Sequence, residues 1–129
     1  MARFISTPAL EIDERPEQWR LHDECIYQSD LLGDDGKPVL VTVPVGFLTD
    51  LSSIPRIFRF FIIKNGKHRA AAIVHDYLCR LGLAFSRTLA DKIFLEAMLV
   101  AGEKKIRSRL MYWAVAINTK RLKLIGKAR

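Results

Sequence analysis

Five residues, "LGLAF" (81–85), separate two long segments whose apolar residues recur at helical spacing. The first, "HRAAAIVHDYLCRLG" (68–82), reads as a helix closed by Gly82. The second, "SRTLADKIFLEAMLVAG" (86–102), reads as a helix capped by Ser86 and stopped by Gly102. A link this short forces the two to fold back as an antiparallel pair. Leu83 is its midpoint, with His75 eight residues before and Asp91 eight after. The spacing therefore predicts that His75 and Asp91 stand at one level across the hairpin.

Both groups also point inward. The helical neighbours of His75 are Ala71, Ala72, Leu78 and Cys79, and those of Asp91 are Phe94, Leu95 and Met98. Ionisable groups in apolar stripes need partners, because desolvating an unpaired charge is costly. An aspartate that accepts from one imidazole nitrogen fixes the tautomer and raises the basicity of the ring, leaving the other nitrogen for proton transfer. Such a pair is either a general base or a clamp between two helices. Access separates the two: a catalytic dyad opens into a cleft, whereas a structural pair is sealed.

The rest of the chain changes period at Gly46. Before it, "WRLHDECIY" (19–27) and "VLVTVPVGF" (39–47) alternate like strands, joined by a turn at Asp35-Gly36; Pro44 marks an edge or a bulge. Residues 1–18 read as irregular chain or one short edge strand. After Gly46, "SSIPRIFRFF" (52–61) reads as a helix start, "NGK" (65–67) as a turn, and residues 104–127 as a last helix with a basic end. In that helix, Ile106, Leu110, Trp113 and Ile117 form an apolar face expected to pack on the domain, with Met111, Tyr112 and Val115 also assigned to the core. The expected fold is α+β in a single domain spanning 1–129: an N-terminal β-hairpin or small antiparallel sheet, then three or four helices including the antiparallel pair.

Asp76 lies about 100° round its helix from His75 and should face the rim of the same site. A carboxylate there suits a hard cation such as calcium, which takes oxygen ligands. The stretch "VPVGFLTDLSS" (43–53) offers Asp50 and Ser52 as further oxygens, with Gly46 permitting close backbone approach. Asp50 serves equally well as a helix cap. Tyr77 sits beside the pair on another face. Zinc finds no cysteine pair at ligand spacing, and Cys25 and Cys79 are expected to be reduced.

Charge is unevenly placed. Residues 1–50 hold four Lys or Arg against ten carboxylates, and residues 103–129 hold nine against Glu103 alone. An acidic front and a basic tail favour anionic partners or docking through opposite ends. The tail, with Lys120, Arg121, Lys123, Lys127 and Arg129 exposed, is expected to bind anionic lipid or the cell envelope; a basic helix end alone specifies no nucleic acid. The opening residues lack the apolar block of a signal peptide, which predicts synthesis and folding in a cytoplasm.

"VPVGFLTDLSSIPR", "AAAIVHDYLCR" and "SRTLADKIFLEAM" together resemble a family of small uncharacterised proteins of tailed phages and prophages. The resemblance covers about residues 40–118 and implies a chain made in a host cytoplasm, retained there or carried into the virion among other phage proteins. His75-Asp76 followed by "LADKIF" is also similar to calcium-dependent secreted phospholipases and the parvoviral capsid phospholipase domain. That likeness implies a hydrolase of lipid or envelope esters or amides, in which His75 activates water, Asp91 orients it and Asp76 holds calcium. The chain departs from those enzymes where they place a tyrosine four residues after the histidine: it has Cys79 there. It also lacks a clear counterpart of their glycine-rich calcium loop. The competing expectation is a non-catalytic virion or assembly component, from tail or neck, in which the His–Asp pair is structural.

Overall fold

A computed structural model of the 129-residue chain describes residues 1–7, 10–12, 19–49 and 66–129. Among the described residues six strands come first: β1 (Arg3–Ser6), β2 (Leu10–Ile12), β3 (Trp19–Leu21), β4 (Cys25–Leu32), β5 (Pro38–Val43) and β6 (Leu48–Thr49). Three helices follow among the described residues: α1 (Gly66–Arg80), α2 (Arg87–Val100) and α3 (Lys105–Leu124). The fold is α+β, as expected. The strands form two antiparallel sheets, ordered β1-β4-β5 and β2-β3-β6.

The hairpin turns where Asp35-Gly36 placed it. Gly36 takes φ +74°, open to glycine without strain, and its N–H donates to the Gly33 carbonyl at 3.0 Å. β4 alternates as its sequence does, burying Cys25, Tyr27 and Ser29 on one face, while Val41 and Val43 of β5 stand opposite Tyr27 and Cys25. Two expectations need correction here. "WRLHDECIY" is not one strand: it bends at His22-Asp23, so β3 pairs in one sheet and β4 in the other. The N-terminal region supplies two strands rather than one, because β1 finds the open edge of β4 and β2 that of β3.

α1 runs through the centre of the molecule, with Ala71 to Asp76 consecutively buried. A helix covered on every side carries small residues where neighbours come close, and Ala71 and Ala72 serve that purpose. Its first turn includes Gly66 and Lys67, which the sequence had placed in a turn. The chain leaves α1 through a single 3₁₀ turn at Gly82–Ala84, and the Ser86 hydroxyl accepts from the Leu89 N–H at the start of α2. α2 ends in a left-handed Gly102 (φ +92°), which returns the Glu103 N–H to the Met98 carbonyl and turns α3 back along α2. α2 thus lies between α1 and α3, with β1 and β4 also against it.

α3 buries Met111 and Val115 as expected, but turns outward the face expected to pack on the domain. Ser108, Met111, Val115 and Thr119 are buried against the domain, and Ile106, Leu110, Trp113 and Ile117 face outward. Tyr112 is half-buried. The helix start read at residues 52–61 lies outside the described residues.

Candidate functional site

His75 and Asp91 meet as their symmetric placement about Leu83 predicts. His75 Nε2 donates to Asp91 Oδ1 at 2.6 Å, and the two side chains are 0% and 2% exposed. The pair does not stand alone. Asp91 Oδ2 accepts from the Thr119 hydroxyl of α3 at 2.5 Å, and Thr119 Oγ1 in turn accepts from Arg87 Nε at 3.1 Å. A polar rung therefore crosses all three helices, from α1 through α2 to α3. Phe94 covers the imidazole, ring centroids 4.9 Å apart, and Cys79 Sγ lies 3.6 Å from Nε2 and 3.8 Å from Nδ1.

The electrostatics follow from this enclosure. Burial alone would lower the His75 pKa. The hydrogen bond to the Asp91 carboxylate, with Cys79 beside it, outweighs desolvation and raises it from 6.5 to about 9. At neutral pH the ring therefore carries both protons, and the pair is an imidazolium–carboxylate ion pair.

Asp76 does not reach the rim. It is 1% exposed, and its Oδ2 accepts from the Thr49 hydroxyl at 2.5 Å with the Arg80 guanidinium 3.5 Å away. It ties α1 to the end of β6. A calcium ion at Oδ2 would share that oxygen with the Thr49 hydroxyl and the Arg80 guanidinium. Asp50 and Ser52 lie outside the described residues. Gly46 does structural work: it takes φ +84° in the turn before β6, and its N–H donates to the Leu21 carbonyl at 2.9 Å. Tyr77 packs edge-on against Phe47 at 5.3 Å. Arg80 lies over the same Phe47 ring, 5.8 Å from its centroid.

Thr119, Arg87 and Thr49 were not singled out from the sequence. Thr119 gives no local signal, since a threonine 28 residues from its partner is recognisable only once α3 is known to return along α2. Glu96 was missed too. Its Oε1 accepts from Tyr27 Oη and Ser29 Oγ, each at 2.7 Å, and its Oε2 from the Asp30 N–H at 3.2 Å, fastening α2 to β4. Cys25 and Cys79 are free thiols, and burial pushes the Cys25 thiol up to about 12, far from reactivity. The basic tail is partly spent within the molecule: Arg129 pairs with Asp34 of the hairpin, and Lys123 donates to Thr88.

A family model described as a protein of unknown function (DUF1353) matches residues 19–115, a span that runs from β3 to the middle of α3 and includes His75, Asp76 and Asp91. No curated protein and no solved structure matches the chain.

Proposed function

The chain belongs to the DUF1353 family, which carries no assigned activity, and we propose on its own residues that it is a non-catalytic virion or assembly component of a tailed phage or prophage. One observation supports this reading above others: the His75–Asp91 pair is sealed, its ring 0% exposed and extended through Thr119 and Arg87 into a tie across three helices. Sealing leaves the ring without the open cleft that a hydrolytic water would enter. What remains is a chain with an acidic N-terminal segment and a basic C-terminal helix, suited to being placed between partners. The phage setting rests on the signature residues "GFLTDLSSIP" and "HDYL" alone.

Carbethoxylation of histidine followed by peptide mapping tests the sealing directly. His75 should stay unmodified in the folded protein and react only on unfolding. In parallel, the wild type should hydrolyse neither phospholipid vesicles nor envelope fractions. Turnover that disappears in a well-folded His75→Asn variant would overturn the reading.

One geometric fact favours a hydrolase as the second reading. Nε2 is the nitrogen that Asp91 holds, and Asp91 is itself oriented by Thr119, the order of groups in which a base is oriented by a carboxylate that is oriented in turn. For that role His75 would have to lose its second proton and gain access to water. The calcium that the phospholipase likeness implies would be held by Asp76 beside Arg80.

A further inference from the structure

The outward face of α3 is apolar where a lone surface helix should be polar. Ile106, Leu110, Trp113, Ile117 and Leu124 are between 49% and 81% exposed, although residues of this size are ordinarily covered. Their spacing is four, three, four and seven. That is the alternation of a heptad seam, with Leu110, Ile117 and Leu124 at one repeating position and Ile106 and Trp113 at the other; Lys120 takes the third turn of that second series. At 100° per residue the five apolar side chains fall within about 60° of arc, opposite the buried Met111 and Val115. An in-plane membrane helix needs a broad apolar face, whereas a strict seam this narrow is the contact line of two helices.

The flanks say which kind of helix. The positions bordering the seam are Arg107, Ala114 and Arg121 on one side and Arg109, Ala116 and Lys123 on the other. Four are basic and none is acidic; Arg107 also pairs with Glu103 and Lys123 with Thr88, and Arg109 and Arg121 stand exposed beside the seam. A second copy laid along the same seam would set these cations against each other, and flanking charges of like sign direct coiled coils away from self-pairing. A helix bordered by glutamate or aspartate meets the same positions with opposite charge. Lys120 interrupts the seam, and a single basic residue there fixes the alignment by requiring an acid across from it.

We propose that α3 is a docking helix for an acidic-flanked amphipathic helix of another protein, packed along Ile106–Leu124 as a two-helix seam. The inference rests on the assembly reading, since it names the surface through which such a component would be held.

The test uses the full chain carrying Trp19→Phe, so that Trp113 is the one remaining tryptophan. The probes are two synthetic four-heptad peptides with leucine along the seam, one flanked by glutamate and one by lysine. The glutamate peptide should bind saturably and shift Trp113 emission to the blue. Ile117→Asp, and separately Arg109→Glu with Arg121→Glu, should each weaken it at least about tenfold. Arg109, Ile117 and Arg121 are exposed in the chain alone, so circular dichroism should report an unchanged fold. The lysine peptide should not bind. Failure of the glutamate peptide to bind overturns the proposal. So does concentration-dependent dimerisation that buries Trp113 without peptide, or a blue shift with phosphatidylglycerol vesicles and none with the acidic peptide. Hydrolytic turnover by the wild type would strike the assembly reading instead and leave the peptide result as it stands, so the two failures are distinguishable.

Discussion

Replacing Asp91 by asparagine isolates the charge at the centre of the rung while keeping its shape. In the wild type the carboxylate accepts from His75 Nε2 at 2.6 Å and from Thr119 Oγ1 at 2.5 Å, with both partners of the ion pair out of contact with water. The His75 pKa of 6.5 when unfolded and about 9 when folded corresponds to on the order of 3 kcal/mol of stabilisation. That agrees with the roughly 3–5 kcal/mol lost when one partner of a buried pair is removed. Because the folded value lies above the unfolded one, the stabilisation is complete below pH 6.5 and falls away as pH rises through 9. Asp91→Asn should therefore cost about 3 kcal/mol at pH 6, a fall of roughly 10–15 °C in Tm for a chain of this size. The gap between wild type and variant should close toward pH 10. Urea denaturation of both proteins at intervals from pH 5 to 10 measures this. A loss under about 1 kcal/mol at pH 6, or a gap that stays constant with pH, would refute the ion-pair account.

Three smaller perturbations probe the surrounding ties, all by equilibrium denaturation. Thr119→Val removes the hydroxyl that joins Asp91 to Arg87 and should cost about 1–3 kcal/mol, since it leaves a buried carboxylate oxygen without its donor. Glu96→Gln weakens the tie from α2 to Tyr27 and Ser29 and should cost roughly 1–2 kcal/mol; Tyr27→Phe in the same background should then add little. Ser86→Ala removes the cap that the Leu89 N–H uses and should cost about 1 kcal/mol, while Ser86→Asp should restore most of it.

The parts legible in the sequence were those in which neighbours along the chain are neighbours in space. Leu83 halves the separation of His75 and Asp91, so a short link suffices to bring them together. Asp35-Gly36 specifies its own turn, and Ser86 its own cap. α3 was legible only in part, with Met111 and Val115 placed correctly and the larger apolar residues not, because it carries two apolar stripes on opposite sides. Periodicity shows both and ranks them by size, which favours Ile106, Leu110, Trp113 and Ile117. The stripe actually buried includes Ser108 and Thr119, chosen by what α2 presents, above all an Asp91 oxygen in need of a donor. The fate of Asp76 was hidden for the same reason: Thr49, its partner, comes from a two-residue strand twenty-seven positions away. The bend at His22-Asp23 was missed because alternation continues through it, and only the pairing of β3 with β2 and β6 makes it a corner.

The rung across the helices has a consequence for how they can be set against one another. Apolar faces tolerate sliding, since one methyl group serves nearly as well as the next. Three helices joined by short links would thus have several settings of similar energy, each about a turn, or 5.4 Å, apart. Charges do not slide. Moving α2 by one turn would carry Asp91 away from both His75 and Thr119 and leave an imidazolium in apolar surroundings. The apolar packing makes the bundle adhere, and the buried line of polar contacts works as a vernier that admits one alignment. Replacing His75, Asp91 and Thr119 together by well-packed apolar residues could keep the stability and forfeit that uniqueness. The outer face of α3 would then lose its fixed position relative to the sheets, and with it the constant geometry that a component held between partners has to present.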